Sequence, residues 1–91
     1  MNPLPPVDQI HTLHFYGGPK AELQLSLPQR PDNRLSIQVL YQLALRHGVI
    51  SPSGARETLA ELPAVAEATD ARVLLQGVLE RGEFLAVRVQ R

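Results

Sequence analysis

The chain has 91 residues, 44% of them hydrophobic and 20% charged, and its nine basic and nine acidic side chains cancel to a formal charge of zero. Such a size and apolar share describe one globular domain rather than a disordered chain, and the balanced charge counts against nucleic acid or an anionic membrane as a partner. With no cysteine, disulfides, thiolate metal centres and a cysteine nucleophile are excluded.

Residues 2–6, NPLPP, read as an extended lead-in, because three prolines remove donors and fix φ. The first eleven residues have neither a basic segment nor an apolar run, so no signal peptide is expected. No apolar stretch approaches the length of a membrane span. A soluble cytoplasmic protein is the default expectation.

QIHTLHFY, residues 9–16, is rich in β-branched and aromatic types and predicts a first strand. Its alternation is poor, with Ile10 on one face and Leu13 and Phe15 on the other, as for a strand covered on both sides. Gly17-Gly18-Pro19-Lys20 is a turn. AELQLSL then alternates, placing Ala21, Leu23, Leu25 and Leu27 on one face. The two strands form a β-hairpin.

PQRPDNR, residues 28–34, is a polar loop that stops the strand. From Leu35 the period becomes helical: Ile37, Leu40, Tyr41 and Ala44 share a stripe that Val39 and Leu43 broaden. Gly48 ends this helix, with Arg46 and His47 near its negative end. Ser51 is a natural N-cap with Pro52 at the first helical position. Ala55, Leu59 and Leu62 form the inner stripe of the second helix, and Pro63 should kink or interrupt it before AVAEA resumes.

DARVLLQGVLERGEFLAVRVQR admits two readings. Either Asp70 caps a helix burying Leu74, Leu75, Val78 and Leu79, which Gly82 ends before the strand FLAVRVQ, or residues 73–80 form a strand with Arg81-Gly82 as the turn. Apolar residues paired four apart favour the helix. The predicted fold is therefore α+β in the order β-β-α-α-α-β. A hairpin and a C-terminal strand share a small three-stranded sheet, with three helices packed on one face.

The segment RHGVISPSGAR, residues 46–56, invites comparison with a helix-turn-helix. Ala44 and Gly48 stand at the required separation. The next locking position falls on Gly54, which cannot pack as a branched residue would. The presumed reading helix would offer Ser53 and Arg56 to a groove, but Glu57 and Glu61 beside them would meet phosphate repulsion. A corner between packed helices accounts for every residue. A nucleic-acid role through Ser53 and Arg56 is kept as the alternative.

His11 and His14, three apart on a strand, cannot chelate one ion, so no metal site is expected. GGPK lacks the Ser or Thr and the following helix of a phosphate loop. No cofactor is expected either. Neither the serines nor the Glu57/Glu61 pair sits in a catalytic constellation, so an enzyme would need a composite site at an oligomer interface. The expected function is a small non-enzymatic interaction or regulatory domain. Its first partner would be itself, as a homodimer, because a three-stranded sheet has two open edges with few charges to guard them.

The order "LYQLALRHGVI", then "LAEL…EATDA", then "VLLQGVLERGEFLAVRV" resembles a family of short bacterial proteins of unknown function, from about residue 10 to the C-terminus. The resemblance implies a bacterial, cytoplasmic origin and the helical reading of residues 70–81, and no activity. The chain departs from that pattern at AEATDARV, which replaces a loop with Gly, Pro and His.

Overall fold

A computed structural model describes residues 10–91; the lead-in expected at residues 2–6 and Gln9 of the expected first strand lie outside the described residues. The elements run β1 (Thr12–Gly17), β2 (Glu22–Pro28), a 3-10 turn (Pro31–Asn33), α1 (Arg34–His47), α2 (Pro52–Glu61), a second 3-10 turn (Ala66–Ala68), α3 (Thr69–Arg81) and β3 (Ala86–Gln90). This is the expected α+β order, with the helical reading of residues 70–81. The strands form one antiparallel sheet in the order β2-β1-β3. The last strand takes the free side of β1, leaving β2 and β3 as edges.

Period-two alternation on β1 divides the sheet. Leu13 and Phe15 are fully buried and join Ile37, Leu40, Leu74, Leu75 and Val78 in the core beneath the helices. Thr12, His14 and Tyr16 face the other way. Ile10 is buried in the same core but precedes the strand, so its place in the alternation is moot. β1 needs no cover on both sides to explain it.

The expected alternation of β2 holds only in part. Leu27 pairs with Leu13 and Leu25 with Phe15, but the register then slips, and Leu23 pairs with Tyr16. Paired residues share a face. Leu23 therefore lies with Tyr16, away from the core and from Leu25 and Leu27. Gln24 is the extra residue of a β-bulge, and its amide donates to the Gly17 carbonyl at 3.1 Å. Gly17 closes β1 rather than opening the turn. A Cβ there would stand 2.6 Å from Leu85 Cδ2, so glycine is what lets Leu85 reach the sheet.

Asn33 joins the sheet to α1. Its side chain accepts from Arg30 N–H at 2.7 Å and donates to the Pro28 carbonyl at 2.8 Å. It is almost fully buried. α1 ends as expected at Gly48, with φ of 79°, and α3 ends at Gly82, with φ of 61°. α2 begins with Ser51 accepting from Gly54 N–H at 3.1 Å, and Pro52 stands first in the helix. Pro63 does more than kink this helix, which stops at Glu61.

The start of α3 corrects a sequence expectation. Asp70 is not the cap. The cap position is Ala68, which has no side-chain acceptor to give, and Asp70 lies inside the first turn. The 3-10 turn at Ala66–Ala68 runs straight into α3, which moves the start of the helix upstream of Asp70. The missing acceptor comes from another element. Ser36 of α1, fully buried, accepts from Ala71 N–H at 3.0 Å and donates to the Glu67 carbonyl at 2.7 Å.

Candidate functional site

Four surfaces could carry function: the corner between α1 and α2, the groove beside it, the helix-free face of the sheet, and the outer edge of β2. The corner comes first, because sequence reading singled it out. Ile50, in its middle, exchanges two backbone hydrogen bonds with Leu85, at 2.8 and 2.9 Å, and its side chain is fully buried. The corner is thus stitched to the leading end of β3. Ser53 and Arg56 are both exposed on α2. Ser53 Oγ lies 3.3 Å from Ser51 Oγ, and Glu57 follows Arg56 on the exposed surface. The structure places these two residues near one another but gathers no further cations around them among the described residues of α2.

Gly54 marks where α2 crosses α1. A Cβ there would meet Leu43 Cδ1 and Ser51 Oγ at 3.3 Å each. The locking position of a helix-turn-helix is therefore held by a glycine that leaves room for the Leu43 side chain and the Ser51 hydroxyl, not by a branched side chain.

Beyond this crossing, α1 and α2 diverge around a groove of about 210 Å³. Val39, Leu43, Leu62 and Pro63 supply its apolar lining, and Arg46 and Glu61 its charges. It lies below the usual size of small-molecule pockets, about 300–1,000 Å³, and its charges oppose one another across the walls. Ser51, on the corner, has its oxygen committed as a helix cap. Thr58 of α2 adds a hydroxyl to the lining of the groove.

The helix-free face of the sheet is a hydrogen-bonded strip. His14, in mid-sheet, has Nδ1 2.8 Å from Ser26 Oγ on β2 and Nε2 2.8 Å from Gln90 Oε1 on β3. One imidazole ties the central strand to both edges. Arg88 lies over the Tyr16 ring at 5.7 Å from its centroid, within cation–π range. His11 sits just before β1, with Nδ1 2.7 Å from Thr12 Oγ1. Each ring is engaged by neighbouring side chains, and no three metal-ligating groups converge among the described residues.

The two sheet edges differ. β3 has Ile50 paired beside its leading end. No strand pairs with the outer side of β2 among the described residues. β2 carries one charge, Glu22, and all its residues except Leu27 are exposed. Leu23 and Leu25 are 53% and 44% exposed. Sequence reading saw the scarcity of charge on β2. It missed the bulge, which puts an exposed leucine on each face of this one strand, and it missed the closure of β3 by Ile50. The Val-Ile pair directly after Gly48 was the available signal for that bridge, since β-branched residues suit extended backbone.

No helix among the described residues is long and apolar enough to cross a membrane. Comparison with known proteins finds no matching family model, no matching curated protein and no matching solved structure.

Proposed function

We propose that the chain is a small non-enzymatic interaction domain whose first partner is a second copy of itself. One observation carries this reading: the outer strand of the sheet keeps large apolar side chains in water on both of its faces. Edge strands are usually guarded by charge, proline, a bulge or a covering element. β2 has a bulge near the turn and Pro28 at its far end, leaving Leu25 to Leu27 between them without a guard. The other surfaces lend less. The groove is small and of mixed charge, the helix-free face satisfies its own polar groups, and the corner is committed to β3. A bacterial, cytoplasmic setting and a further protein partner belong to the same reading.

Gel filtration coupled to light scattering, over a micromolar concentration range, tests it. The expected mass is twice the 10.0 kDa of the chain, with dissociation on dilution. A mass of one chain at every concentration would defeat self-association.

A further inference from the structure

We propose that Ser26 is a nucleophilic site: its hydroxyl, activated by His14, takes the acyl group of short-chain activated esters. This goes beyond the self-association reading and is independent of it, since one acyl group per chain asks for no interface and no turnover.

The sheet brings three groups of acyl-transfer chemistry into line on its helix-free face. Ser26 pairs with His14 in the register of β1 and β2, and paired residues share a face. Its Oγ lies 2.8 Å from Nδ1 of the imidazole, and Nε2 lies 2.8 Å from Oε1 of Gln90. An amide oxygen can only accept. Nε2 therefore carries the ring proton, and the Nδ1 lone pair is left to accept from the Ser26 hydroxyl. A nucleophile, a base within hydrogen-bond reach and a third group that orients the base make the arrangement of an activated serine. An amide fills the third place in Cys-His-Asn enzymes. Ser26 is exposed, so an ester reaches it without any opening of the fold. Sequence reading passes over the trio because its members, separated by 12 and 76 residues, meet only in the sheet.

The backbone supplies a donor for the developing charge. Gln29 N–H donates to the His11 carbonyl at 2.8 Å, in the same register that pairs Leu27 with Leu13. Inward and outward groups alternate along an antiparallel strand. Ser26 therefore turns its N–H away from β1, to the side where no strand pairs with β2 among the described residues. That N–H is open to the oxyanion that forms beside Oγ, the part a serine nucleophile's own N–H plays in acyl transfer. Oγ gives its proton to Nδ1 and bonds the acyl carbon, the ester C–O bond breaks, and the proton passes from Nδ1 to the leaving oxygen. Ser26 ends as an ester, and the alcohol is released.

The probe is p-nitrophenyl acetate, with peptide mass spectrometry locating the acetyl group over time. On the unaltered protein Ser26 should gain it faster than Ser53, which is also exposed but has a hydroxyl, at 3.3 Å, in place of an imidazole. His14→Gln should slow acetylation of Ser26 by about a hundredfold or more while circular dichroism still reports the folded chain. Gln90 acts through His14 and is a positioning residue. Gln90→Leu should slow the reaction, and Gln90→Glu, which keeps an acceptor for Nε2, should restore it. Ser26 acetylated no faster than Ser53, or at an unchanged rate in His14→Gln, overturns the proposal. Slowing that Gln90→Glu fails to repair overturns the role of Gln90.

Discussion

Ser36 and Ser51 are two serines with one job, and only one of them shows it in the sequence. Ser51 stands directly before its helix, followed by proline, so its capping role follows from local pattern. Replacing Ser51 with Ala should cost about 1 kcal/mol. In a domain of this size that is a fall of roughly 4–8 °C in melting temperature. Ser36 is the third residue of α1, in its first turn, and nothing in the local sequence marks it for burial. Its hydroxyl serves α3 instead, taking Ala71 N–H and giving to the Glu67 carbonyl. The three groups are interdependent, because removing the hydroxyl strands a buried donor and an acceptor together. Ser36→Ala should therefore cost more than Ser51→Ala, about 1–3 kcal/mol. Thermal melts of the two variants side by side check the order, and equal shifts would mean that water replaces the buried hydroxyl.

At the scale of elements, the corner shows how far local signals reach. Gly48, Ser51 and Pro52 define where α1 stops and α2 starts from residue type alone, and the structure follows them. The destination of Ile50 depends on a partner, Leu85, 35 residues away. No local pattern specifies that pairing. The bulge at Gln24 is hidden for the same reason: alternation in the sequence is unbroken, and the slip exists only in the register with β1. Asp70 misled because a good capping residue stood near a helix start, while the 3-10 turn before it and Ser36 across from it decided the outcome. Helices and strands were thus legible where one segment's own chemistry sets them. The surfaces were not, because they arise between segments. The corner's hold on β3 is testable. Ile50→Ala should cost about 2–5 kcal/mol by opening a cavity at a fully buried site, and should raise hydrogen exchange at Leu85 N–H. Leu45→Ala, at a side chain 52% exposed, should stay within about 0.5 kcal/mol. If both variants melt alike, the Ile50 bridge is not what fixes the corner.

Over the whole molecule, charge and shape bear on the same question, whether the corner can serve nucleic acid. Non-specific affinity for a duplex scales with the phosphates neutralised, and this chain has as many acids as bases. Balance alone would not forbid a local basic patch. The candidate helix provides Arg56, but Glu57 and Glu61 share its exposed surface, so a phosphate approaching one cation also approaches two carboxylates. A reading helix must also project into a groove about 12 Å wide. α2 instead packs heavily on α3, and the loop before it is bonded to Leu85 at the head of β3. Any outward shift of the corner would break two backbone hydrogen bonds and draw Ile50 out of the core. The expected outcome is no sequence-dependent binding tighter than about 1 μM, equivalent to about 8.2 kcal/mol, at physiological salt. Gel-shift titrations against a random duplex pool and single strands measure it directly. If sub-micromolar, sequence-dependent binding appeared and Arg56→Ala abolished it, the corner would be a recognition element after all. Binding that Arg56→Ala left intact would point instead to the strip carrying His14, Tyr16 and Arg88, the remaining aromatic and cationic surface of the sheet.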